Sequence, residues 1–268
     1  MPIITLLTDF GLNDEYVGTM KGVILSINPS TTLIDITHNI DPQDIIQAAF
    51  TIKSSYNFFP KGTVHVVVVD PGVGGSRAII AIKMAGHTFL APDNGILTLL
   101  IKEGNIDEII RVDNKKFFLK SISQTFHGRD IFAPVSAHIS SGVEINQIGT
   151  PINKNDLAKL SIPEPKISDK GELIGSIVSI DRFGNLITNI DSNCLKNFCG
   201  LEAGGKPEIR IGNSKITDLA KSYENSEFNS PLIIIGSRGY LEIAVNCDSA
   251  KKYLKAEKGD TITINLSD

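Results

Sequence analysis

A run of apolar β-branched residues, Val66 to Val69, stops at Asp70-Pro71-Gly72-Val73-Gly74-Gly75-Ser76-Arg77. A carboxylate at the end of a buried strand, then a glycine-rich loop and an arginine seven residues on, is an arrangement that can hold a polar reactant. Unbroken apolar runs suit strands covered on both faces, and ligands in open α/β sheets bind outside the carboxyl ends of such strands. A plain tight turn with Asp70 as turn former is the competing account. Phosphate binding is disfavoured. The loop lacks the Gly-Lys-Ser/Thr of a P-loop and the spacing of the dinucleotide fingerprint. The next segment, Ala78 to Ile82, reads as another strand, so no helix N-terminus is available for a phosphate.

Thr8-Asp9-Phe10-Gly11 ends the first strand in the same way, and Asp14-Glu15 come soon after it. Three accounts stand side by side here: a divalent-metal site, a lone aspartate accepting two hydroxyls of a sugar, and helix capping by Asp14. Thr125-Phe126-His127-Gly128-Arg129-Asp130 places a histidine just before a helix pattern, where an imidazole can orient water or take a proton near neutral pH. His38, His65, His87 and His138 lie within or at the edges of strand and helix patterns and are read as structural. Toward the C-terminus, Ile180 to Asn185 (IDRFGN) and Ser237 to Asn246 (SRGYLEIAVN) carry aromatic, Asn and Asp residues beside turns. Such residues can hold a heterocyclic base and an amine, and they also furnish ordinary hairpins.

These candidates need elements to position them. Ile3–Thr8 and Thr32–Ile36 read as strands, and Glu15–Ile27 as a helix stopped by Asn28-Pro29. Asp41 as N-cap with Pro42 at N1 predicts a helix to about Ser55, and Ile96–Lys102 and Asp130–Ser140 are further helices. Strands alternating with helices predict an α/β N-terminal domain with a largely parallel central sheet over residues 1–150. Pro151, Pro163 and Pro165 mark a linker over residues 151–168. Beyond it come short strands separated by Gly, Asn and Asp turns: Leu173–Ile180, Leu186–Ile190, Glu208–Ile211, Leu232–Ile235, Leu241–Val245 and Thr261–Leu266. They predict a smaller C-terminal β-barrel domain over residues 169–268.

Composition narrows the classes of function. The 268 residues carry 26 Lys and Arg against 30 Asp and Glu, a formal charge of -4, with no basic stripe; a nucleic-acid footprint is not expected. No apolar stretch approaches the roughly 20 residues of a membrane span. Met1-Pro2-Ile3 leads into a strand without a basic, cleavable leader, and a soluble cytoplasmic protein is expected. Cys194, Cys199 and Cys247 are read as reduced thiols, because Cys194 and Cys199 are too isolated from other ligands for a zinc site.

Taken in order, TDFG, DPGVGG with Arg77, APDNG (Ala91–Gly95), TFHGRD, IDRFGN and SRGYLEIAVN resemble the S-adenosylmethionine hydroxide adenosyltransferases, the water-using relatives of the bacterial fluorinase and chlorinase. The likeness runs nearly end to end. It implies a homotrimer whose sites lie between one subunit's N-terminal domain and its neighbour's C-terminal domain, with S-adenosylmethionine as substrate and no cofactor or metal. The implied reaction gives adenosine and L-methionine. The alternatives are a halide-dependent, chlorinase-like adenosyltransferase, ranked below hydrolysis because of Asp70, and, from another class, a non-catalytic adenosine or S-adenosylmethionine sensor. Asp9, Asp14 and Asp70 alone would also suit a metal-dependent phosphoester hydrolase.

By the same resemblance Asp70, Arg77 and His127 form the polar triad that holds and activates water, with His127 as the preferred base. Asp9 holds the ribose hydroxyls and Asp181 meets the methionine amine. Asn185 and the backbone near Cys247 read the adenine edge, between the rings of Phe183 and Tyr223. Asn94, Ser237 and Arg238 complete the substrate-binding set. The halogenating relatives carry an aromatic residue at the Asp70 position, where a carboxylate would repel halide. Gly128 matches the chlorinase, where the fluorinase has serine, Arg238 matches the halogenases, and the fluorinase has tryptophan near Gln43.

Overall fold

The valine run forms β3 (Val64–Val68), every residue of it buried, as is Val69 beyond it. The structure is a computed structural model that describes residues 2–200, 206–217 and 219–267. The chain divides into two units, Met1–Ser161 and Ile162–Asp268.

In the first unit β3 pairs in parallel with β1 (Ile3–Thr8) and with β5 (His87–Pro92), and β1 pairs in parallel with β2 (Thr32–Thr37). The period of two along a strand divides its side chains between two cores. Ile4, Leu6, Val64, Val66 and Val68 pack with Met20 and Ile24 of α1 (Tyr16–Ile27) and with Val135 and Ala137 of α4 (Ala133–Ser140). Leu7, Val67 and Val69 pack on the other face, with Ala48 and Ile52 of α2 (Ile45–Ser55) and Leu100 of α3 (Thr98–Glu103).

The largely parallel sheet expected from the strand–helix alternation is corrected to a mixed one. Its order is β2-β1-β3-β5-β4-β6-β7, in which β4 (Ile79–Met84), β6 (Ile106–Val112) and β7 (Gly149–Pro151) run antiparallel to their neighbours. The cause is local. Ala85 and Gly86 turn at φ +54° and +81°, and a two-residue reversal joins only antiparallel strands, whereas a parallel connection needs about a dozen residues or more.

Among the parallel strands, the crossovers through α1 and α2 carry the chain to opposite sides of β1, so the strand order reverses between β1 and β3. Thr8 lies opposite Val68. Asp9 and Asp70 therefore emerge at neighbouring strand ends, at the topological switch point where α/β sheets open a crevice.

The start of α2 also differs from expectation. Asp44, not Asp41, caps the helix by accepting from Gln47 N, and Asp41 to Gln43 form a turn in which Gln43 takes φ +66°. The helix expected from Asp130 is an α-helix only from Ala133, and a π-turn, Gly128–Phe132, precedes it.

The second unit is an antiparallel sheet of β9 (Leu173–Ile180), β10 (Leu186–Asp191), β11 (Lys206–Ile211), β12 (Ser214–Ile216), β13 (Pro231–Ile235), β14 (Tyr240–Val245) and β15 (Thr261–Ser267), ordered β12-β11-β15-β9-β10-β14-β13. The short β8 (Lys166–Ile167) adds to β9. Leu219 bridges to Ile233 and Ala220 N donates to Ile233 O at 2.8 Å, which brings the chain beyond edge strand β12 against the opposite edge and nearly closes a barrel. Residues 192–199, outside the strands expected of this unit, form a helix, α5 (Ser192–Cys199), capped by Asp191 and ended by Gly200 at φ +56°. A second helix, α6, spans Ala250–Leu254. Cys194, Cys199 and Cys247 are free thiols. Among the described residues no helix is long and apolar enough to cross a membrane.

At the amino end of β3, His65 is fully buried and bonded to Thr5 Oγ1 (2.7 Å) and to His87 Nδ1 (3.2 Å). Tyr56, Phe59 and Phe89 surround the pair. Burial, with His87 adding to it, pushes the His65 imidazole down to about 3 from its ordinary 6.5. Between those values the unfolded chain binds the proton and the folded one does not. Stability is thus fully present above about pH 6.5 and falls on acidification, by up to about 1.4 kcal/mol per pH unit for one such group. Denaturant unfolding followed from pH 7 to pH 4 is expected to show this loss, and the His65→Phe variant a slope shallower by about one proton.

Candidate active site

A cavity of about 480 Å³ opens at the switch point, lined by Asp9, Gln43, Asp70, Val73, His127 and the aromatic rings of Phe10, Tyr16 and Phe126, among others. Asp9 comes after β1 and Asp70 after β3, while His127 sits on the turn that enters α4. Gln43 N donates to Asp9 Oδ2 at 2.8 Å, so the left-handed turn before α2 fixes this carboxylate and leaves Oδ1 for a ligand.

Arg77 grips Asp70 from behind. Its Nε donates to Oδ1 and Oδ2 of Asp70 at 3.1 and 2.9 Å, and its Nη2 donates to Oδ2. The same Nη2 lies 2.8 Å from His127 Nδ1. Arginine only donates, so Nδ1 is the acceptor and the imidazole proton sits on Nε2. His127 is thereby held as a neutral ring that presents an N–H. Burial is the first cause that lowers its pKa below 6.5 and the Arg77 cation the second; Asp70 and Asp130 oppose them more weakly.

Backbone geometry sets these side chains. Gly74 stands at φ +76°, and a Cβ there would lie 2.2 Å from Gln124 O, so only glycine lets the loop after Asp70 pack on the segment before His127. Asp130 is fully buried; its Oδ2 accepts from Ser123 N at 2.7 Å and Arg129 pairs with both its oxygens, which ties residues 123–126 to the π-turn. The rings of Phe10, Tyr16 and Phe126 meet at centroid distances of 5.0 to 6.0 Å and form an apolar wall. A Cβ on Gly128 would press on Phe126, Met20 and Phe10 at 3.0 to 3.3 Å.

The second unit holds a cavity of about 760 Å³, lined by Asp181, Phe183, Asn185, Tyr223, Ser237, Arg238, Glu242 and Cys247, among others. Asp181 Oδ1 accepts from the backbone N–H groups of Phe183 and Asn185, and its Oδ2 from Asn185 Nδ2 at 3.0 Å. The turn thus fixes the Asn185 side chain, whose Oδ1 has no hydrogen-bond partner among the described residues. Phe183 is 77% exposed. Tyr223 Oη donates to the buried Glu242 Oε1 at 2.6 Å. Burial raises the pKa of both groups, and Asp181 adds to each shift while Arg238 opposes it at Glu242.

Of the residues singled out in the sequence, the structure brings Asp9, Asp70 and His127 into one cavity, with Arg77 bonded behind them. It gathers Asp181, Phe183, Asn185, Tyr223, Ser237, Arg238 and Cys247 around the other. Asn94 lines neither; its side chain is bonded to Val69 O and Ile96 N. Among the described residues no group of three or more His, Cys, Asp or Glu side chains is placed to hold a metal ion. Sequence reasoning missed Tyr16 and Phe126 as walls and Glu242 as a floor. Glu242 had a signal, a lone carboxylate inside the apolar run Tyr240–Val245.

Residues 4–149 match the model of the SAM hydroxide adenosyltransferase N-terminal domain, and residues 175–263 that of the C-terminal domain. The chain is 35% identical to an (R)-S-adenosyl-L-methionine hydrolase of Methanocaldococcus jannaschii, over 98% of this chain and 96% of that one. It is 29% identical to a fluorinase of an Actinoplanes species, over 98% and 97%. A crystal structure of an uncharacterized conserved protein from Thermotoga maritima superposes with a TM-score of 0.90 at 37% identity, covering 97% of this chain and 99% of that one.

The geometry predicts two outcomes. The His127 pKa, measured by imidazole NMR, is expected to rise in Arg77→Gln, which removes a neighbouring cation while the ring stays buried. Gly74→Ala is expected to destabilise the protein by about 1–3 kcal/mol or more, read as a lowered Tm, since it adds a left-handed alanine as well as a backbone clash.

Proposed function

Since the chain belongs to the S-adenosylmethionine hydroxide adenosyltransferase family, we propose that it hydrolyses S-adenosyl-L-methionine to adenosine and L-methionine. The observation that carries this reading is the Asp70–Arg77–His127 chain of hydrogen bonds in a cavity shared with Asp9. A water oxygen bonds to the ribose 5′ carbon as the bond from that carbon to the sulfonium sulfur breaks, and the electron pair leaves with sulfur. The leaving group is a neutral thioether, so the reaction needs no acid to protonate it and no metal to carry its charge. It needs the nucleophile held in line and near attack distance.

The hydrogen bonds around Arg77 favour Asp70 as the acceptor of the proton. The Nδ1 lone pair of His127 is occupied by Arg77, which argues against the imidazole as the base. Asp70 keeps a free lone pair on its carboxylate, so the water's proton passes to Asp70 while the His127 Nε2–H orients the water oxygen. A carboxylate at this position also repels halide, which supports water over chloride or fluoride as nucleophile. Asp9 receives the ribose hydroxyls. In the second unit, Asp181 takes the amino acid's amine, Ser237 and Arg238 its carboxylate, and Asn185 with the Cys247 backbone the adenine edge, with Phe183 and Tyr223 on the base's faces. The full set of contacts belongs to a homotrimer with sites shared between subunits.

Incubation with S-adenosylmethionine in 18O-labelled water is expected to give adenosine carrying the label in its 5′-hydroxyl, with no effect of chelator. Asp70→Ala is expected to lose about a hundredfold or more in kcat. Absence of adenosine at high enzyme concentration would sink the proposal, and 5′-chloro-5′-deoxyadenosine formed in chloride would replace it with halide transfer.

A further inference from the structure

The geometry points to Asp93 and Asn94 as positioning residues, a clamp that closes both ends of the Asp70–Arg77 loop; as a statement about turnover it rests on the hydrolytic reading above. The loop is entered through Val69 and left through Ala78. The carbonyl of Val69 accepts from Asn94 Nδ2 at 2.8 Å, and the carbonyl of Ala78 accepts from Asp93 N at 2.9 Å. Both carbonyls lie beyond the strand ladders: the last β3–β5 pair is Val66 with Leu90, and β4–β5 pairing begins at Ile79 with Pro92. Val69 is fully buried, so without Asn94 its carbonyl loses its partner in the protein at the residue before the key carboxylate.

The clamp is itself held. Asn94 Oδ1 accepts from Ile96 N at 3.2 Å, which fixes the orientation of the amide and aims its NH2 group at Val69. Asp93 Oδ1 accepts from Ala158 N at 2.9 Å. Gly95, at φ +90°, packs so closely on Leu160 that a Cβ would fall 2.6 Å from Leu160 N. Neither Asp93 nor Asn94 lines the cavity beside Asp70, so both act through the placement of Asp70 and Arg77 and not on a ligand.

The test compares wild type with Asn94→Ala and with Asn94→Asp, which keeps the acceptor for Ile96 N but removes the donor to Val69. Ile52→Val, a core substitution on α2, serves as a control for general loss of stability. Asn94→Ala and Asn94→Asp are expected to lower kcat about ten- to a hundredfold with KM within about twofold, the size of effect a misplaced reacting group produces. In 15N-arginine-labelled protein, the Arg77 Nε–H resonance, identified by its absence from Arg77→Lys, is expected to shift or vanish in both. Ile52→Val is expected to keep both kcat and the resonance. An unchanged Arg77 resonance in the Asn94 variants overturns the clamp, as does an unchanged kcat, or an equal fall in Ile52→Val. If wild type forms no adenosine, the hydrolytic reading fails, and the arginine resonance alone decides the clamp.

Discussion

Asp70 and Arg77 form an ion pair almost wholly withdrawn from water, their side chains 5% and 12% exposed, and most of the first unit's local architecture answers to that constraint. A pair taken out of water holds only where geometry is good and the remaining donors and acceptors are satisfied, because the desolvation of two charges offsets much of their attraction. The guanidinium meets this by serving Asp70 with Nε and Nη2 and passing a further Nη2 hydrogen to His127. The loop meets it with Gly74, which lies against Gln124, and with the hydrogen bonds that Asp93 and Asn94 give to its two ends. Bonding to Arg77 then settles the tautomer of the imidazole and leaves its N–H at Nε2.

The two cavities differ in chemistry. In the first unit, carboxylates and an imidazole N–H face an aromatic wall, a setting for a hydroxyl-bearing ligand and a small polar nucleophile. In the second, an exposed aromatic ring, a fixed amide and groups of both charges suit a flat base and a zwitterion. Backbone makes each of them rigid: Asp181 organises its own turn, Asp130 ties the π-turn to the loop before it, and Gln43 anchors Asp9. Sites held by backbone hydrogen bonds of this kind need little rearrangement when a ligand arrives.

Much of this was legible in the chain. The even and odd members of the valine run separate into two cores because a strand places successive side chains on opposite faces, and that alternation is written in residue order. Five of the six motifs mark where the cavities are, and APDNG, the exception, lines neither. Less legible were the beginning of α2 and the direction of β4. Asp41-Pro42 satisfies the usual helix-start pattern, yet the turn is drawn out by the bond from Gln43 to Asp9, a residue 34 positions earlier. The Ala85-Gly86 reversal is a weak signal beside the many helix patterns around it.

The sequence by itself determined which residue types stand at the ends of β1 and β3, how the strands are buried, and to which family the chain belongs, because these depend on local pattern and residue order. Only the tertiary structure decided which groups bond to which. Arg77 and His127 are fifty residues apart, and nothing local makes the guanidinium donate to Nδ1. Asn94 carries the same amide whether it touches a ligand or a backbone carbonyl; the fold turns it toward Val69 O, because a buried carbonyl past the end of its ladder must find a donor from somewhere else in the chain.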